Sequence, residues 1–318
     1  MKLNTLIIAA IAAVGLTATG CQKYDDQKPT IAGIAVAGAD FSILEAAAIK
    51  GGVAVVLSNL NPGDPSGHYT VFAPNNAAFA RLGLVDEGSL AALNTTFLTN
   101  TLLYHVSNGD LLSTALTTNS TSSSALGGLT RRIVMRGSDK YINGSKILAT
   151  DISASNGTVH VIDKVMIASG ANIVNTAIAA STSKVFASPE LTFLVAAVVK
   201  SGLAAALSDP TANFTIYAPT DAAFKAAGFP DVASVSAAPA STLQAVLLNH
   251  AVGGGKFTSE LSGTTATTAG GGTLMYGTFN NGTYTIKSNG IATPANMVVP
   301  DIQCTNGIVH IIDKVLLP

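Results

Sequence analysis

The chain has 318 residues, of which 11% are charged, and a formal net charge of −1. It therefore lacks the basic face that a phosphate backbone demands, and a nucleic-acid partner is excluded. Tryptophan is absent and aromatic residues make up only 6%, which removes the usual stacking platform for sugars; the length suits two domains, each able to bury its own core.

Residues 1–20 read as a signal peptide. Lys2 supplies the positive start, 6–16 form an apolar run, and Ala18, Thr19 and Gly20 precede Cys21. The run is too short to span a bilayer as a mature helix. A cysteine directly after small residues resembles a bacterial lipoprotein signal, which makes Cys21 the lipidated first residue of the mature chain. An ordinary secretory signal with a chance cysteine is the alternative. Gln22, where aspartate is absent, points to sorting to the outer membrane, and the Asp25–Asp26 pair is similar to surface-export tags. Residues 21–29 are polar and read as a flexible tether. The expected location is thus the cell envelope, with the membrane engaged through the lipid. Cys304 is then left without a partner and reads as a small buried filler.

Beyond the tether, one pattern of elements occurs twice. A helical stretch at 41–50 closes on Gly51-Gly52 and recurs at 191–200, closing on Ser201-Gly202. Short β-runs at 69–72 and 214–217 end at Ala-Pro. Asn75 and Thr220 stand where an N-cap belongs, and the short helices after them end at Gly83 and Gly228. A second helix is predicted over 96–105 and 242–250. Residues 113–124 and 264–273, rich in Ser and Thr, read as edge or loop. Asn-Gly at 143–144, 156–157, 281–282, 289–290 and 306–307 predicts hairpin turns with both residues at positive φ. The closing runs at 158–167 and 308–317 are almost solidly apolar and read as central strands. Arg131, Arg132 and Arg136 read as a solvated strand edge in preference to an anion site. Residues 168–170 are too short a linker for free tumbling, so a fixed pair is expected.

Three blocks carry the duplication: TVFAPNNAAF at 70–79 with TIYAPTDAAF at 215–224, TLLYHV at 101–106 with VLLNHA at 246–251, and NGTVHVIDKV at 156–165 with NGIVHIIDKV at 306–315. In this order and spacing they resemble the signature blocks of the fasciclin domain. The resemblance covers nearly all of the mature chain and implies an α+β fold: two tandem domains, 30–168 and 171–318, each a twisted β-wedge flanked by short helices. It implies adhesion or matrix binding without catalysis, the partner being a cell-surface or matrix protein or a polysaccharide. By the same resemblance, an adhesion surface falls on Tyr104 and His105, and on the aspartate-isoleucine pairs Asp151-Ile152 and Asp301-Ile302; the alternative is that the aspartates accept backbone N–H groups in a turn and the isoleucines belong to the core. Asn249 replaces the tyrosine in the second copy, so that surface is expected in the first.

Four histidines are matched between the copies, His105 with His250 and His160 with His310. Neither HxxxH nor HxH spacing accompanies them, so they read as hydrogen-bonded core residues in preference to metal ligands or bases. His68 has no counterpart and is expected to be exposed. No nucleophile elbow occurs, and no catalytic residue, metal or cofactor is implied. A second reading, motivated by apolar content, is a carrier of a small apolar ligand held between helices and wedge in one copy.

Overall fold

The computed structural model describes residues 28–182 and 190–318. The signal segment, Cys21 and most of the tether lie outside the described residues.

The first domain contains α1 (Ile31–Ala37), α2 (Ser42–Lys50), α3 (Ala54–Leu57), β1 (Tyr69–Pro74), α4 (Asn76–Ala80), α5 (Thr95–Tyr104), β2 (Val106–Asn108), β3 (Thr121–Ser123), β4 (Thr130–Arg136), β5 (Asp139–Ile142), β6 (Ser145–Ala154) and β7 (Gly157–Ile162). The second repeats the plan with α6 (Ile173–Thr182), α7 (Thr192–Ser201), α8 (Ala204–Ser208), β8 (Phe214–Pro219), α9 (Asp221–Ala226), α10 (Val232–Ala237), α11 (Ala240–Leu248), β9 (Ala251–Gly253), β10 (Thr265–Thr267), β11 (Thr273–Tyr276), β12 (Thr285–Ser288), β13 (Ala295–Cys304) and β14 (Gly307–Ile312). The sheet orders are β2-β1-β7-β6-β5-β4-β3 and β9-β8-β14-β13-β12-β11-β10. Among the named strand pairs of the described residues, β1–β7 and β8–β14 are the parallel ones. Each sheet curls until its two ends nearly meet, joined by Ala125 N–H to the Val106 carbonyl and by Ala269 N–H to the Ala251 carbonyl. A nearly closed sheet leaves little edge for stray pairing.

The apolar closing runs are central because both of their faces are covered. Val71 and Val159 face the helices, packing with Ile43, Leu44, Ala47 and Leu102. Phe72 and Ile162 point the other way, into the wedge, with Leu116, Ile133 and Ile142. Neighbouring residues of a strand alternate between faces, so a strand buried on both sides is apolar throughout. The caps form as predicted: Asn75 accepts from Ala78 N–H and Thr220 from Ala223 N–H, and Gly83 and Gly228 lie at φ 76° and 97°. The helices α1 and α6, which open each domain, are not expected from the sequence.

The Asn-Gly turns divide into three kinds, and at Asn289-Gly290 neither residue has positive φ, against expectation. Asn143-Gly144 and Asn281-Gly282 have both residues at positive φ, as predicted. Asn156 and Asn306 do something else: each accepts the first N–H of its domain's opening helix (Ile31, Ile173) and donates to two carbonyls, one in the last turn of α3 or α8 (Leu57, Leu207) and one just after it (Asn59, Asp209). Gly157 and Gly307 are required because a Cβ there would sit 1.9 Å from the Tyr69 carbonyl oxygen and 2.3 Å from that of Phe214, on the parallel neighbour.

The domains are joined as one body. Residues 167–171 lie along β13, with Gln303 N–H bonded to the Ile167 carbonyl and Ser169 N–H to that of Gln303. Leu82, Phe97 and Val165 of the first domain pack against the core of the second.

Candidate functional site

The chemistry-bearing residues of both copies gather around a bulge in β6 and its twin in β13. The register of each long strand slips there, and the bulged residues Asp151 and Asp301 take positive φ, 60° and 65°. Aspartate tolerates this left-handed conformation better than most residues. In each copy the freed N–H is taken up by a histidine of the next strand. Asp151 N–H donates to His160 Nδ1 at 3.2 Å, and Asp301 N–H to His310 Nδ1 at 3.0 Å. The opposite nitrogen, Nε2, therefore carries the proton and donates to the Leu111 carbonyl at 2.7 Å or that of Lys256 at 3.0 Å. Both rings stack on the aromatic residue of the parallel neighbour, Phe72 or Tyr217.

The other matched pair is built the same way. His105 donates from Nδ1 to the Thr101 carbonyl and accepts Met166 N–H on Nε2. His250 donates to Val246 and accepts from Leu316. Burial lowers all four histidines, His105 and His250 to about 4. A neutral imidazole has one donor and one acceptor, and each ring has both bonded to protein. The four are hydrogen-bonded core histidines, as the sequence reading expects. Among the described residues no group of three or more His, Cys, Asp or Glu is placed to hold a metal ion.

The bulges themselves differ sharply. Asp151 is exposed, and its carboxylate accepts Ser113 N–H at 2.8 Å. Hydrogen bonding from Ser113, first its hydroxyl and then its backbone, holds that carboxyl below the usual range. Asp301 is buried and faces the first domain. Its Oδ2 meets Lys164 Nζ at 2.6 Å and Thr258 Oγ1 at 2.7 Å, while Oδ1 accepts Thr258 N–H at 2.6 Å. Lys164, also buried, adds the Gly282 carbonyl at 2.9 Å. This ion pair is the centre of the domain interface. Around it, Arg132 stacks over Phe257 and pairs with Glu260 at 2.9 Å. Arg136 lies 4.0 Å from the Phe279 ring centroid and bonds the Leu261 carbonyl.

The expected adhesion residues are scattered by this arrangement. Tyr104, His105, Asp301 and Ile302 are buried and do not form a surface. Tyr104 belongs to the interface, its hydroxyl bonded to Asn143 and Gln303. Ile302 packs in the second core and Ile152 against the first. Of the six, Asp151 alone stands on the exterior. The arginines are no solvated edge either. Arg131 is wholly buried, bonded to the Tyr104 carbonyl, Ser107, Ser122 and the Ser123 carbonyl, and burial lowers it to about 10. His68, expected to be exposed, is half-buried and pairs with Asp110 at 2.5 Å. Cys304 is buried against Thr176, and burial pushes its thiol up to about 11, as suits a filler.

Sequence reasoning missed Lys164 and Gln303, two of the residues that bridge the domains. Lys164 is the next-to-last residue of a signature block, and its twin, Lys314, bonds Thr293 and Pro294 within its own domain in an exposed setting. Matched positions thus hid the difference. For Arg131 a signal existed: strand register matches it to the apolar Leu274, and an arginine aligned with a leucine points inward.

A family model for the Fasciclin domain matches residues 39–168 and again 189–318. The chain belongs to the fasciclin family, as two tandem domains. Among curated relatives, Protein sll1483 of Synechocystis sp. is 32% identical over 169 residues, covering 52% of this chain and 89% of that protein. Transforming growth factor-beta-induced protein ig-h3 of Sus scrofa is 28% identical over 259 residues, 79% of this chain but only 35% of the relative. Periostin of Homo sapiens is 27% identical over 269 residues, with 79% of this chain and 28% of periostin covered. A solved FAS1 domain pair from the insect cell adhesion molecule fasciclin I covers 79% of this chain and 89% of that one, at 18% identity and a TM-score of 0.40.

Proposed function

We propose that this chain is a non-catalytic adhesion or matrix-binding protein of the cell envelope, lipid-anchored through Cys21, sorted to the outer membrane, with a cell-surface or matrix protein or polysaccharide as partner. The observation that carries the non-catalytic part is that every duplicated histidine has both ring nitrogens bonded to protein. Membership of the fasciclin family, in two copies, supports the adhesive part. The two domains, clamped by Lys164–Asp301, present one stiff body on a short tether. Stiffness lowers the ordering cost of binding, and many tethers on one surface supply avidity. Asp151, pre-set by its bulge, is the contact residue favoured on the exterior, with Ile152 half-buried beneath it.

Mature protein coupled to beads tests this against envelope polysaccharide and neighbouring cells. Capture that weakens on changing Asp151 to alanine is expected. Absence of binding in both monomeric and clustered formats sinks the adhesive reading. A second reading, a binder of a small apolar ligand, is favoured by one observation: an apolar cleft between helices and sheet in the first domain.

A further inference from the structure

Beneath α1, α2 and α3, against β1, the first domain holds an apolar cleft of about 190 Å³. The second domain has its counterpart under α6, α7 and α8, of about 90 Å³. Three matched positions contribute to the difference. Ala32, Ala48 and Val71 line the first cleft, where Val174, Val198 and Ile216 line the second. Each is larger in the second copy and narrows its cleft. Leu44 and Leu57 are matched by leucine, Leu194 and Leu207, while other lining pairs differ in both directions: Val53 is matched by the larger Leu203 and Val106 by the smaller Ala251. A close-packed core normally leaves no such gap, and an apolar cavity stays dry and accepts apolar guests.

The chemistry of the lining narrows the guest. His105 has both ring nitrogens bonded to backbone, and the Ser58 hydroxyl bonds the Ala54 carbonyl. Glu45, half-buried, is the acidic group in the wall. Outside, Val36, Ile49, Val55 and Leu60 on and after these same helices are 63–72% exposed. An apolar cleft with an apolar rim suits an aliphatic chain whose head stays in a polar layer.

Position names the source. The cleft wall begins at α1, whose cap is Thr30. From Cys21 to that cap an extended chain reaches at most roughly 30 Å at about 3.3–3.6 Å per residue. The wider cleft is thus in the copy next to the anchor, and the narrower one in the distant copy. We propose that the first domain's cleft takes one acyl chain of a bilayer lipid, its rim resting in the headgroup layer. This rests on the lipid-anchor and apolar-ligand readings above and adds to them the ligand class and the copy that binds.

The test uses the mature chain with Cys21→Ser, made without lipid. It is titrated calorimetrically with lysophosphatidylethanolamine below its micelle concentration, and floated with phosphatidylethanolamine–phosphatidylglycerol vesicles. One equivalent of lysolipid per chain and co-flotation are expected. The variant Ala32→Val/Ala48→Val/Val71→Ile, which carries the second copy's residues, is expected to bind at least tenfold more weakly and to stay behind in flotation, with its thermal melt intact. If it does not fold, Val174→Ala/Val198→Ala/Ile216→Val serves in its place and is expected to gain a second equivalent. No lysolipid uptake by the Cys21→Ser chain, undiminished binding by the folded filled variant, or no gain by the folded opened one overturns the proposal. Palmitate uptake without flotation overturns the bilayer as source. So does a native lipidated chain in detergent that refuses lysolipid while Cys21→Ser accepts it, since its own acyl chain then fills the cleft. An intact mass of the host-derived chain reads lipidation of Cys21 separately, so failure of the anchor and failure of the cleft are not confused.

Discussion

Asp151 and Asp301 occupy the same bulge of the same strand, with the same positive φ and the same histidine behind them. One faces solvent and the other is the buried anchor of a domain interface. The module demands the bulge, because the long strand must bend to close the wedge. The use made of the carboxylate depends on what lies opposite. In the first copy that is the Ser113 loop, in the second the other domain.

The sharpest way to break the comparison is to remove the cation that only one aspartate has. Lys164→Met leaves Asp301 buried and uncompensated and should destabilise by about 3–5 kcal/mol. Its matched twin, Lys314→Met, should stay within about 0.5 kcal/mol, being bonded at the exterior. Urea denaturation of the two variants measures both. Equal effects would mean that the interface ion pair carries no special weight.

Acid probes what the copies share. His105 and His250 have an ordinary value of 6.5 lowered to about 4 by burial. The unfolded chain takes up protons first, so this stability is complete above pH 6.5 and is lost as pH falls through about 4. Each contributes about 3 kcal/mol. Asp163 and Glu260, whose carboxyls burial raises, act in the opposite sense and soften the slope. Changing His105 to glutamine should flatten the loss by one histidine's share in a pH series of melts, and His250→Gln by the same amount.

A third comparison concerns how each wedge fills its interior. The first copy uses Arg131 over Phe72, with Ser107 and Ser122 as acceptors. The second uses Leu274, Val252 and Ala266 at the matched positions, and closes Tyr217 against Tyr276 through their hydroxyls at 2.6 Å. Arg131→Leu alone strands the serines and the Tyr104 carbonyl and should cost about 2 kcal/mol. Adding Ser107→Val and Ser122→Ala should recover most of it, since an apolar replacement of a whole buried polar set is often neutral. Chemical denaturation of the single and triple variants decides; a triple variant no better than the single would mean the two interiors are not exchangeable.

These contrasts explain what the sequence makes legible. Elements with local causes are readable: the caps at Asn75 and Thr220, the left-handed Gly83 and Gly228, the solidly apolar closing strands. The histidines are readable as core because they recur without ligand spacing. The adhesion surface is not, because Tyr104 packs into the core of its own wedge and Asp301 is covered by Lys164 of the other domain, and no local pattern encodes either burial. Asn156 and Asn306 look like turn formers for a related reason: their partners lie far away in the chain, at the opening helix and the end of α3 or α8. Arg131 looks like an edge residue because strand alternation does not say which face is inside.

The smallest expected effect is the most selective. Asp151→Asn keeps a side chain that accepts the left-handed backbone and can still accept Ser113 N–H, so its stability should change by less than about 0.5 kcal/mol. Asp301→Asn keeps the same shape but leaves Lys164 buried without a counter-charge, and should fall in the range of Lys164→Met. Asp151→Ala lies between, losing the Ser113 bond and bearing the left-handed strain, at about 1–2 kcal/mol. Charge alone thus separates the two bulges, while backbone geometry unites them. If Asp151→Asn weakens capture of cells or polysaccharide while its melt is unchanged, the exterior carboxylate is a contact and not a brace.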